Sequence, residues 1–314
     1  MSHVEAAAGA VGGIDLRGNP ARHRRELIVK RIFQASAALS VVISAAIVLS
    51  LIGRALDFLF AVDVSQLLSP SGWFPRRDFY DIRTIVAGTF IISGIAMIVA
   101  APLGLGAAVY LSEYARPRVR RTLKPILEIL AGVPSVVLGY FALTWISPEV
   151  VQNLFAKATA FNMMATGIAV GVLITPLVAS VSEDALRAVP QSLREASYGL
   201  GSRKMSTTLR VVIPAGVSGI VASLILAVSR AIGETMIVAI AAGATGGSPF
   251  RLDPTQPGTT MTGAMSALAI GSDQVKGAKE TFESLFFVGM LLFLMTLVLN
   301  VVSERFVRRV RERY

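Results

Sequence analysis

Two ionisable residues one helical turn apart, Arg230 and Glu234, interrupt an otherwise charge-free stretch from Val211 to Phe250. In a bilayer, an ionised side chain at mid-depth costs about 2.5–3.5 kcal/mol on insertion scales. Such residues therefore face a protein interior or a water-filled path. The alternative is a structural pair that locks two helices, although Arg before Glu is the weaker order for an i,i+4 bond. A second group of interest is the polar run from Glu183 to Arg210. Within it, Ser192 and Glu195 have capping-box spacing. Pro190 discourages helix before them, and Gly199 and Gly201 offer a left-handed stop. The enclosed helix of about eight residues is too short to persist alone in water. Leu193, Ala196 and Leu200 share one face, which suits either docking to a cytoplasmic partner or folding back on the chain's own helices. Other chemistry is missing. No Gly-Lys pair exists, so there is no P-loop for a nucleotide. There is no cysteine, and His3 and His23 both precede the first apolar run, which excludes thiolate and histidine chemistry in the apolar body. The chain does not read as an enzyme.

These residues sit in a chain with 54% hydrophobic and 16% charged residues and a mean hydropathy of +0.64. A soluble domain carries about a quarter charged residues, so this is an integral membrane protein, all-α, and its net charge of +10 marks membrane-flanking loops rather than a nucleic-acid surface. A span needs about 20 apolar residues. Charge-free runs give Ile32–Gly53 (extending towards Phe60), Thr84–Ser112, Ile129–Pro148, Ala158–Ser182 and Ser284–Ser303, with one further span over Val212–Ala242: six transmembrane helices. The segments 1–31, 113–124, 183–210 and 304–314 carry six, five, five and five Lys+Arg, against three, one and three in 61–83, 149–157 and 243–283. The bias predicts that both termini are cytoplasmic. Residues 5–13 are Ala/Gly-rich, 21–33 suit either a short helix on anionic headgroups or a plain stop of positive charge before the span, and the first helix is expected to be an uncleaved anchor. Residues 243–283 read as an external loop rich in Gly, Pro and Thr. Gly132-Val133-Pro134-Ser135 breaks the third span, because proline frees a carbonyl that needs another partner. Such breaks often flank substrate paths, which makes Ser135 a candidate, with a packing kink the alternative. Pro102 and Pro176 read as bends.

Glu195-Ala196-Ser197, then Gly201, then Val211-x-Ile213-Pro214 resemble the EAA loop of ABC-importer permeases, with Ser197, Val211 and Ile213 as mild departures from Ala, Ile and Leu. The resemblance implies a type I permease architecture in which Glu195, Ala196, Ser197, Leu200 and Gly201 form a coupling helix seated in an ATP-hydrolysing subunit. Arg187-Ala-Val-Pro-x-Ser-Leu-Arg-Glu-Ala, Ala131-Gly-Val-Pro-Ser-Val-Val-Leu-Gly139 and Arg230-Ala-Ile-Gly-Glu-Thr-Met236 are similar to the permeases of the phosphate-specific transport family. The likeness runs from about Tyr80 to Arg308, and the Gly-Glu-Thr-Met-Ile-Val ending is of the PstC rather than the PstA kind. It implies an inorganic phosphate importer in a bacterial or archaeal plasma membrane. Arg230, Glu234, Thr235 and Ser135 would then line the path. A guanidinium matches phosphate oxygens bidentately, Glu234 could compete for it to ease release, and Thr235 could donate a hydroxyl.

The implied organisation is a cytoplasmic segment 1–31, a first helix and external loop 32–82, a five-helix core 83–303 holding the coupling loop 183–210, and a basic tail 304–314. The implied partners are a PstA-like second permease, two PstB-like ATPases carrying ATP-Mg, a PstS-like external phosphate-binding protein, and membrane lipid. This chain itself needs no cofactor and no nucleic acid. A permease for sulfate or molybdate, or a scaffold or sensor component without transport, remains the alternative.

Overall fold

A computed structural model describes residues 20–243, 247–270 and 279–310. Segment 5–13 and the last residues of the basic tail lie outside these. The elements in chain order are α1 (Pro20–Ala61), α2 (Val64–Leu67), a two-stranded hairpin β1 (Trp73–Phe74) and β2 (Phe79–Tyr80), and α3 (Ile82–Val109), which a π-helical turn extends to Tyr114. Then come α4 (Pro117–Ala131) and α5 (Ser135–Phe141), the latter prolonged by π-helical turns to Gln152. After them follow α6 (Met163–Arg187), α7 (Gln191–Gly199), α8 (Lys204–Thr207), a π turn (Thr208–Val212) leading into α9 (Ile213–Ile232), α10 (Met236–Ala241), α11 (Met261–Ile270) and α12 (Lys279–Val310). The chain divides within α1 into two compact units, 1–51 and 52–314.

Among the described residues five helices are long and apolar enough to cross a membrane: α1, α3, α6, α8–α9 and α12. The pair α4 and α5 with its extension, bent by 85° at the break, makes a sixth when counted as one broken span. The third span, Ile129–Pro148, is broken where its sequence suggests: its first residues end α4, and Pro134, which cannot donate a backbone bond, sits between the two halves. The span Val212–Ala242 is likewise broken, at Gly233–Thr235. No separate interfacial helix occupies 21–33, because α1 runs unbroken through it. Part of the presumed loop 243–283 is the helix α11, too short to cross.

The centre of the molecule is α6. Gly167 and Gly171, a Gly-x-x-x-Gly pair, let it lie directly on α3: a Cβ at either would come within 2.7–2.8 Å of the Cβ of Ile95 or Val99. Gly104 of α3 returns the contact against Val178. With no hydrophobic driving force between helices in lipid, this close approach supplies the dispersion contacts that hold them. On its other side α6 meets α9, where Ala185 fills the space at Gly219 and the Ser182 and Ser223 hydroxyls bond at 2.6 Å. The buried apolar core runs through Ile92, Ala96, Val170, Ile174, Ala227 and Ile237. A second cluster packs Phe58, Trp73, Tyr80 and Ile85 against α11 and α12, with the Phe58 and Tyr80 rings edge-on at 5.0 Å. Asp81 caps α3 by accepting from the Arg83 amide at 3.1 Å, and Asn162 caps α6 through the Ala165 amide at 2.7 Å.

Candidate translocation and coupling sites

Helix α9 stops at Ile232, and the chain restarts as α10 four residues later. Glu234 makes this restart possible. The residue is 8% exposed, and its carboxylate accepts from the amides of Met236 at 3.1 Å and Ile237 at 3.3 Å, two of the donors a helix start leaves unpaired. Its carbonyl accepts from the Thr262 hydroxyl at 2.7 Å, tying the break to α11. Thr235 is half-buried and donates to the Gly233 carbonyl at 3.3 Å. In this conformation the Glu234 carboxylate is engaged by backbone amides, and no ion pair joins it to Arg230.

Arg230 is exposed, and among the described residues its guanidinium makes no hydrogen bond or ion pair. Its depth follows from register. Ser223 pairs with Ser182, the two helices run antiparallel, and Arg230 lies seven residues further along, about 10 Å at 1.5 Å per residue. That puts it level with Thr175, the middle of α6. The second break lies close by in the fold. Gly139 of α5 lies so near α10 that a Cβ would stand 3.1 Å from the Ile237 Cα. Ser135 begins α5 one turn earlier and is half-buried. The structure thus brings the Pro134 break and the Gly233–Thr235 break to one helix crossing.

The coupling loop is built differently from its sequence expectation. The helix α7 starts at Gln191 with Pro190 in the cap position and no side-chain cap, so the Ser192–Glu195 capping box does not form. The extended backbone of Pro190 sets the boundary one residue too early, leaving Ser192 inside the first turn. Glu195, Ala196 and Leu200 are exposed, Leu200 at 88%. Ser197 departs from that set: it is buried, and its hydroxyl bonds Thr207 at 2.8 Å. Ser197 thus fastens the loop internally instead of presenting to a partner. Gly201 has φ +79, the left-handed conformation expected of it.

Several charged residues here gave no local sequence signal. Arg194 donates to the Val189 carbonyl at 2.6 Å, to the Leu186 carbonyl at 2.8 Å and to the Glu113 carboxylate at 3.0 Å. Glu183, fully buried, is held by Arg120 at 2.7 Å and Lys124 at 2.8 Å, so α4 is latched to α6 by charge. Lys124 also reaches Asp184 at 2.6 Å. The ion-paired partners lie about 60 to 80 residues apart, beyond any spacing rule.

Residues 100–312 match the family of binding-protein-dependent transport system inner membrane components. The chain belongs to that family. It is a multi-pass permease of an ABC importer, a class that works with a binding protein outside the membrane. It is similar to a probable ABC transporter permease, YqgH, of Bacillus subtilis, at 28% identity over 90% of this chain and 93% of that one. The phosphate transport system permease protein PstC of Mesorhizobium japonicum is 29% identical, covering 100% and 99%. Among solved structures, a bacterial importer of the polysaccharide alginate matches with a TM-score of 0.61 at 15% identity, over 92% of this chain and 100% of that one. The MetNI methionine transporter matches with 0.52 at 19%, over 72% and 92%. At these identities the structures show the fold alone, that of type I ABC importer permeases.

Proposed function

We propose that this permease is the PstC-type subunit of an ATP-driven phosphate importer. The observation that carries the reading is Arg230: a guanidinium without a partner among the described residues, level with the middle of α6, beside the crossing of two broken helices. Helix interruptions beside a mid-membrane charge are where transporters place their substrate sites, and a planar fork suits a tetrahedral oxyanion. The neighbouring carboxylate is turned into the backbone, so it does not cancel the positive charge. Similarity to PstC proteins supports phosphate as the anion. In this reading Thr235 and Ser135 flank the path, and Glu234 holds its wall in shape.

The rest of the machine is assigned on the same footing. A PstA-like permease closes the path from the other side, and a PstS-like protein delivers phosphate externally. Two PstB-like ATPases hold ATP-Mg on the cytoplasmic side, where the exposed Glu195, Ala196 and Leu200 present α7 to one of them. The uneven Lys/Arg count supports both termini lying on that same side. The deciding experiment is uptake of radiolabelled phosphate in a strain whose only PstC-type permease is this chain, with its partner subunits present. We expect Arg230→Lys to assemble normally but to lose most uptake, because lysine keeps the charge and loses the fork. Undiminished uptake by Arg230→Lys would remove Arg230 from the path. Stronger competition by sulfate or molybdate than by unlabelled phosphate would reassign the substrate.

A further inference from the structure

We infer that Arg194 is the positioning residue that carries movement of the coupling helix into the membrane body. The inference rests on the reading of α7 as the ATPase seat. The helix has an outer face, with Glu195, Ala196 and Leu200 exposed, and an inner face of Leu193, Arg194 and Ser197. Two of the inner residues make local or apolar contacts. Leu193 packs on the cluster around Leu186, Val189 and Val212, and Ser197 bonds Thr207 on the next helix. Arg194 alone of the three joins α7 by directional bonds to elements that precede it in the chain.

Its guanidinium is a three-way joint. Two bonds go to the carbonyls of Leu186, in the last turn of α6, and of Val189, two residues past its end. The third goes to Glu113, in the π turn that closes α3, and Ser112 donates a further bond to that carboxylate at 2.8 Å. The Arg194 and Glu113 side chains are only 11% and 5% exposed. A buried ion pair is weak evidence for stability, since apolar side chains of similar size often hold a structure as well. What the pair adds is geometry. A planar fork with bonds at fixed angles resists rotation, whereas an apolar contact lets the helix roll. The joint also reaches the two helices that are packed most closely, α3 and α6, so displacement of α7 is delivered to both at once.

The test uses the whole complex, both permeases with ATPase, reconstituted in liposomes. ATP hydrolysis is measured without and with binding protein loaded with inorganic phosphate, alongside phosphate flux. Arg194→Met keeps similar bulk and removes the fork; we expect basal hydrolysis within about twofold and the stimulated-to-basal ratio to fall at least tenfold. Arg194→Lys should behave like Met rather than like Arg. In Glu113→Gln one acceptor oxygen remains, so the ratio should fall only a few-fold in fully assembled complex. A purely structural role predicts less assembled complex with an unchanged ratio in what remains, and that result would overturn the inference. Should Arg194→Met fail to assemble, Glu113→Gln decides: an unchanged ratio there also overturns it. If the unaltered complex responds to sulfate or molybdate and not to phosphate, the substrate reading fails alone, and the same ratio taken with that oxyanion still decides Arg194. An unaltered complex that hydrolyses no ATP would refute the coupling reading and Arg194 with it.

Discussion

The restart of α10 depends on an acceptor, not on a charge, and this separates two substitutions at Glu234. In Glu234→Ala the amides of Met236 and Ile237 lose their shared acceptor. Ile237 is fully buried, so no water replaces the lost bond there. An unmade buried donor costs about 1–3 kcal/mol; with the half-buried Met236 amide near the low end, the two together cost roughly 2–4 kcal/mol. At 1.4 kcal/mol per tenfold, the break would shift away from its present shape by a factor of about 30 or more. In Glu234→Gln an amide oxygen can accept the same two bonds, and only the charge-assisted increment, about 1 kcal/mol, is lost. We therefore expect initial phosphate uptake, normalised to permease in the membrane by immunoblot, to fall at least tenfold in Glu234→Ala and no more than about fivefold in Glu234→Gln. Equal loss in both would refute the capping argument. It would mean that the negative charge itself acts, on Arg230 or on the anion.

Four further outcomes are expected. Gly201→Asp puts a Cβ-bearing residue at φ +79, where only strain and not crowding opposes it; stimulated ATP hydrolysis should collapse at normal complex abundance. Gly171→Val puts a side chain within 2.8–2.9 Å of Val99 and the Ala96 carbonyl, so α3 and α6 must separate and detergent-solubilised protein should lose its sharp thermal transition. Ser202→Cys, in a chain with no native cysteine, should resist impermeant thiol reagents on intact cells and react in inverted vesicles; the opposite result reverses the topology. Burial pushes the Tyr80 hydroxyl up to about 12, above its unfolded value of about 10. The stability this neutral phenol contributes is full below pH 10 and fades as pH rises towards 12. Near-ultraviolet absorbance titration should show one late-ionising tyrosine that vanishes in Tyr80→Phe.

The helices α1, α3, α6 and α12 were legible because apolar length alone decides whether a segment can cross. The third span was half legible: Pro134 announces a break, but not an 85° bend, which also needs α4 held down by Glu183 through Arg120 and Lys124. The break at Gly233–Thr235 contains no proline. It is made by a carboxylate folding onto the next helix and by Thr262, 28 residues away, so local pattern could not reveal it. The run before α11 is rich in turn formers and hid a ten-residue helix whose first amide is capped by Thr89 at 3.1 Å. Arg230 was found because a lone charge in an apolar stretch is conspicuous. Arg194 and Glu113 were missed because each lies among many charges in polar segments.

The bare guanidinium of Arg230 also has a consequence for the life of the protein before it works. A chain newly released into the membrane without its companion presents that charge, level with the centre of α6, to hydrocarbon, at about 2.5–3.5 kcal/mol. The price of remaining single is comparable to a sizeable part of the 5–15 kcal/mol by which a typical fold is stable. On the proposed assignment, an orphan copy is thus marked for proteolysis by the residue assigned to meet the anion. If a second permease is its companion, cells that make the two in unequal amounts should hold only as much of this one as they have companions for it.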